Sequence, residues 1–147
     1  MNAVFLLTLL LGLQQGEPPT AKPRREFRYG AATTGRATFS HDGRLALVSG
    51  KSSRVAIFHG RTVMLVREFR GHRHVIGDVA SWPDRDTVVS GDATGVLFFW
   101  QAKTAQKFSQ AQVLGAVTAV VPQPSGRLVA VLTKQSAWLV DIVSGRK

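Results

Sequence analysis

The chain has 147 residues, 44% of them apolar, and a net charge of +10 with no cysteine. That length and composition suit one domain with a real core. They exclude a disordered chain, a disulfide framework and a cysteine-ligated metal, while leaving the compartment open.

Eleven residues without charge, Ala3–Leu13, open the chain. The run is too short to span a bilayer, which takes about 20 residues, and has the length of a signal-peptide apolar region. Residues 1–16 therefore read as a signal peptide or apolar leader, which implies export to the periplasm or outside; without it the chain is cytoplasmic. No basic residue precedes the run, and Gln14 stands where a small residue is usual before a cut after Gly16. An uncleaved tether or a buried strand are the rival readings. Residues 17–24, rich in Pro, read as a linker. Between Lys22 and Arg73 twelve Lys and Arg stand against Glu26, Asp42 and Glu68. This is either a solvated basic face or a surface for polyanions.

From about Arg25 the chain repeats itself. Arg25-Glu26-Phe27-Arg28 recurs at Arg67–Arg70, an offset of 42, and at that offset Gly35 matches Gly77 and Asp42 matches Asp84. A third copy follows: Pro124–Leu132 matches His41–Ser49, and Trp100–Lys107 lies 40 residues before Val140–Lys147. The units run at about 25–66, 67–107 and 108–147. In each, runs of four to six Val, Leu, Phe and Thr alternate with Gly, Asp, Ser and Pro turns, the pattern of short strands. No stretch holds a helical period, and Thr104–Val117 reads as an outer strand plus loop. The chain after the leader is all-β and antiparallel. Val96–Trp100 is apolar at five successive positions, so that strand needs protein on both faces. Small sheets stacked face to face provide it.

The second unit, Phe69–Gln101, resembles a WD40 repeat. It has Gly71-His72, the turn Pro83-Asp84, Ser90-Gly91 closing a strand, and Trp100 closing the next. The resemblance implies a β-propeller of four-stranded antiparallel blades. In this unit the strands fall at about Val75–Ser81, Thr87–Ser90, Val96–Trp100 and Lys107–Ala111, with Arg67–Arg70 near the outer strand of the blade before. Arg25–Arg28 becomes an outer strand of the blade that closes the ring. It also implies a structural hydrogen-bonded network of His72, Ser90 and Trp100, with Thr94 where the family has Asp. Thr94 either holds the network weakly or gives way to Asp92. The other units depart further, with Phe58-His59 and Val140-Asp141 in place of Trp-Asp. About two and three-quarter blades make an incomplete arc, because closed propellers have at least four. The resemblance therefore implies a piece of a longer propeller, or one completed by association.

Chemistry-bearing residues are sparse. His72 and His74 have a spacing that suits a metal, but lack a third ligand and flank Arg73. Asp84 and Asp86 sit in a turn where Asp bonds the backbone. Ser49, Ser90 and Ser144 each precede Gly but without a nucleophile elbow, and Trp82, Trp100 and Trp138 read as core. No catalytic, cofactor-binding or metal site is expected, and no cofactor. The expected function is a non-enzymatic scaffold for a protein partner, for further blades, or for a second copy. The alternative is a polyanion-binding surface, nucleic acid or an anionic envelope; the leader argues against nucleic acid.

Overall fold

The computed structural model describes residues 35–142; the leader, the linker and Arg25–Arg28 lie outside the described residues. Eleven strands and no helix occur among the described residues. They form three antiparallel sheets in chain order. Blade one holds β1 (Arg36–Phe39), β2 (Leu45–Ser49), β3 (Arg54–His59) and β4 (Leu65–Arg70). Blade two holds β5 (Ile76–Ser81), β6 (Val88–Asp92), β7 (Val96–Trp100) and β8 (Lys107–Gln112). Blade three holds β9 (Val117–Pro122), β10 (Leu128–Thr133) and β11 (Ala137–Asp141).

Two features differ from a uniform array of four-stranded blades. Blade three has three strands among the described residues, and β11 is its edge. The sequence units also cut each sheet one strand early. Arg67–Arg70 opens the second unit yet lies in β4, the outer strand of blade one.

The five apolar residues of β7 divide by pleat. Phe98 and Trp100 join a core with Leu47, Val55, Ile57 and Phe69 of blade one. Leu97 and Phe99 join a second core with Val117, Val120, Val129 and Val131 of blade three. Blade two is thus covered on both faces, and alternation along β7 sends each side chain into one core or the other. Trp82 and Trp100 are fully buried, whereas Trp138 on β11 is 38% exposed.

The repeat extends to backbone conformation. The β3–β4 connection closes with His59 N–H donating to the Met64 carbonyl and Val63 N–H to the His59 carbonyl, and Val63 has φ 60°. The β7–β8 connection repeats this 42 residues on, from Gln101 to Gln106 and from Ala105 to Gln101, with Ala105 at φ 56°.

The matched Gly35 and Gly77 both lie where backbone comes close. A Cβ on Gly77 would overlap the carbonyl oxygen of Val117 at the start of blade three's inner strand. Beside it, Asp78 Oδ2 accepts a hydrogen bond from Val120 N–H at 2.9 Å. Blade two and blade three are therefore joined by backbone contact along the inner rim. Gly77→Ala is expected to force these strands apart and cost about 1–3 kcal/mol, as overpacking does. A lowered urea midpoint with unchanged slope is the check.

Candidate functional site

The most buried polar cluster lies at the blade one–blade two junction. Gly71 and His72 follow β4, and the chain turns there into β5. The imidazole of His72 is inaccessible to solvent. Its Nδ1 lies 2.9 Å from Asp92 Oδ2 and its Nε2 lies 2.8 Å from Ser90 Oγ. Trp100 Nε1–H donates to the same Ser90 oxygen at 3.1 Å. The other carboxylate oxygen, Asp92 Oδ1, accepts from Thr94 Oγ1–H at 2.7 Å, Thr94 N–H at 2.9 Å and Val96 N–H at 3.1 Å.

These contacts fix the proton positions. Ser90 Oγ accepts from the indole, so its own hydroxyl proton is available to His72 Nε2. His72 then carries its proton on Nδ1 and donates it to Asp92. Burial, the largest influence, pushes the His72 pKa below 6.5, against the opposing hydrogen bond and charge of Asp92. Burial raises the Asp92 pKa, but the bonds from Thr94, His72 and Val96 outweigh it and hold the carboxyl below 3.8. At neutral pH this is a neutral imidazole on a carboxylate, with every polar atom of the set occupied. Such a network locks β4–β5, β6 and β7 in register.

The structure brings His72, Ser90 and Trp100 together as one chain of hydrogen bonds. The carboxylate comes from Asp92, and Thr94 serves that carboxylate rather than replacing it. The signal for Asp92 was its position in a Ser-Gly-Asp turn, where an Asp side chain readily accepts from amides two and four residues on. In blade one Phe58 pairs with Ala46 as Trp100 pairs with Val88, so Phe58 stands in the place of the indole.

The remaining sequence candidates are dispersed. No group of three or more His, Asp or Glu able to hold a metal occurs among the described residues. His74 is exposed. Asp84 bonds Arg85 at 3.0 and 3.2 Å, which holds its carboxyl below 3.8. Asp86 accepts from Lys103 N–H at 3.3 Å. The two carboxylates are thus engaged with different partners. Among the described residues no helix is long and apolar enough to cross a membrane.

Composition and spacing did not reveal the open cleft beside this network, because residues far apart in sequence line it. It encloses about 870 Å³ between the β4–β5 connection and the outer strands of blade two. Its lining includes the apolar Val96, Phe98 and Phe108, the basic Arg73 and His74, and the amides Gln110 and Gln112. Lys107 Nζ lies 4.4 Å over the Phe98 ring, a cation–π contact. Phe108 is 53% exposed.

No protein-family description matches the chain. Its backbone superposes on the β-propeller domain of Cps50 (Swd1) from Myceliophteria thermophila with a TM-score of 0.74, at 18% identity. The match covers 84% of this chain and 39% of that one. The fold is that of a β-propeller, as the resemblance of the second unit to a WD40 repeat implied, present as an arc of consecutive blades. A curated relative, ribosome biogenesis protein bop1 from Danio rerio, is 34% identical over 79 residues. Those residues are 52% of this chain and 10% of the relative, so the chain spans a small part of the proteins it matches. The His72–Ser90–Asp92–Trp100 set is a strut within a blade, and the cleft lies beside it.

Proposed function

We propose that this propeller arc is a non-enzymatic scaffold that docks a protein partner, and that the cleft on blade two receives a segment of it. The observation that carries this reading is the cleft's make-up: Val96, Phe98 and Phe108 line it together with Arg73 and His74, and Lys107 lies over the Phe98 ring, on strands tied by the buried network. Loops and rims on a rigid scaffold are where binding resides. A hydrophobic centre with a basic rim suits an acidic segment that carries an apolar anchor. Likeness to a protein named for ribosome biogenesis supports work within an assembly rather than on a small substrate. Export, on the strength of the apolar leader, belongs to the same proposal.

Phe108→Asp and Arg73→Glu alter this surface without touching either core. Partners are captured by cross-linking on the full chain and then measured by titration. Both variants are expected to weaken binding at least tenfold while circular dichroism stays unchanged. Retention of full affinity by both variants overturns the cleft as the docking site.

A second reading rests on arginine placement. Gly60 N–H donates to the Arg44 carbonyl at 2.7 Å, which sets Arg44 and Arg61 at one end of blade one. A polyanion bound there loses affinity linearly in log salt, with a slope set by the phosphates neutralised. A flat salt response discards this alternative.

A further inference from the structure

The turns β1–β2, β3–β4, β5–β6 and β7–β8 lie at one end of the sheets, because each sheet runs as a meander. Ala102 and Ala105 of the β7–β8 turn pack into the same core as Leu45, where β2 begins. These turns form one rim of the arc.

The end of blade one stands out on this rim. Met64, Leu65 and Val66 follow one another at 68%, 51% and 44% exposure. A strand ordinarily turns alternate residues outward. Here the register shifts: Arg67 pairs with Ile57 and Leu65 with Phe58, which leaves Val66 as a bulged residue. Exposed Arg61 and Arg67 bracket the run. Exposed Arg44 lies beside it, tied in by its carbonyl, which accepts from Gly60 N–H. Among the described residues none of these three arginines is in an ion pair. The nearby acids are engaged elsewhere. Asp42 Oδ1 accepts from Ser40 Oγ–H at 2.7 Å and from Arg44 N–H at 3.1 Å, and Glu68 pairs with Arg54 and Arg70.

The shared backbone has no need of this surface. Blade two has the same register shift, with Phe99 on Ser109 and Trp100 on Lys107. There, 42 positions on, Gln106, Lys107 and Phe108 stand in place of Met64, Leu65 and Val66. Asp86 and Ser109 stand in place of Arg44 and Arg67. Ala105 takes the left-handed position that blade one gives to Val63, although a β-branched residue is unfavourable there. Blade one thus adds both apolar and basic groups to a turn that folds without them.

Aliphatic side chains bracketed by arginines match an anionic lipid surface. The apolar groups enter the acyl boundary, about 5–10 Å deep, while the guanidinium groups meet headgroup phosphates. The tip holds no aromatic ring on which a base of single-stranded nucleic acid would stack. A duplex offers phosphates with no acyl layer beneath them. Turns gathered at one end of the sheets also meet a flat surface together. We infer that the end of blade one docks on a bilayer containing anionic phospholipid, with Met64, Leu65 and Val66 in the interface and Arg44, Arg61 and Arg67 on the phosphates. This deepens the polyanion reading above and rests on it; the cleft on blade two remains for the protein partner.

Flotation of the full chain with vesicles tests it. Binding is expected to vesicles of phosphatidylcholine and phosphatidylglycerol in equal parts, and not to phosphatidylcholine alone. Met64→Gln with Val66→Thr keeps the strand and is expected to lower vesicle binding about tenfold or more, with circular dichroism and duplex DNA binding unchanged. Arg44→Gln and Arg61→Gln are expected to lower vesicle binding about fivefold for each cation removed, and to weaken DNA binding as well. Vesicle binding indifferent to the Met64 and Val66 changes overturns the inference. Binding of DNA without binding of anionic vesicles overturns it while the polyanion reading stands, and binding of neither overturns both. A second measurement uses the absence of cysteine from the chain. Met64→Cys carrying a polarity-sensitive dye is expected to shift to the blue on anionic vesicles, whereas the same dye on Gln135→Cys, in the β10–β11 turn at the opposite rim, stays unchanged. A blue shift at position 135 and none at 64 refutes the docking face.

Discussion

Asp92→Ala is expected to destabilise the arc by roughly 3–5 kcal/mol, the range for removing one member of a buried, hydrogen-bonded set. Asp92 is 1% exposed, and its carboxylate receives four donors: His72 Nδ1–H, the Thr94 amide and hydroxyl, and the Val96 amide. Alanine leaves these donors in a site where each unmade bond costs about 1–3 kcal/mol. Against a total stability of about 5–15 kcal/mol for a domain, that loss is large. Chemical denaturation measures it directly. Asp92→Asn keeps the shape and is expected to cost less, because its amide oxygen still accepts from some of the donors. Ser90→Ala, which removes the bridge between indole and imidazole, should fall between the two.

The same network sets an acid response whose sign follows from both groups. His72 has a folded pKa below its unfolded value of 6.5. Between those two values the unfolded chain binds more protons, so stability falls as pH drops below 6.5. Asp92 has a folded pKa below 3.8. Its contribution is complete above 3.8 and is lost as pH falls through the folded value. Asp92→Asn is therefore expected to abolish the lower part of the acid loss while leaving a fall that starts near pH 6.5. Urea midpoints across the acid range separate the two parts.

Sequence pattern made the sheets legible because stacking leaves a mark on every strand. The run Val96–Trp100 needed cover on both faces, and both cores are present. The strands of the second unit fell within two residues of the observed ones, since Gly, Asp and Pro turns bound them. The resemblance to a WD40 repeat placed Arg67–Arg70 near the outer strand of blade one, and β4 contains it. The network was legible in its members but not in its wiring. Thr94 and Asp92 are both short oxygen-bearing residues in one turn, and only the backbone decides which of them reaches His72. The cleft was not legible at all. Its walls come from residues 71–74, 92–98 and 108–112, and no spacing rule links those segments before the blade is folded.

Trp100→Ala is expected to cost about 3–5 kcal/mol, as for a large buried aromatic, and to strike one junction selectively. The indole is fully buried, stacks on Phe69 of blade one and donates to Ser90. Its core belongs to blades one and two. The core between blades two and three draws on the opposite pleat of β6 and β7, through Val89, Leu97 and Phe99. Coupling in stacked repeats passes between neighbours, so a defect at one interface releases the unit on its far side first. Amides of β2 and β3 should then exchange faster than those of β9 and β10, where the unaltered chain protects both. Trp100→Phe restores most of the stacking but not the hydrogen bond, and its smaller loss apportions the effect between packing and the Ser90 contact. Uniform acceleration across all three blades would show that the arc unfolds as one unit, with its two cores coupled through the shared sheet.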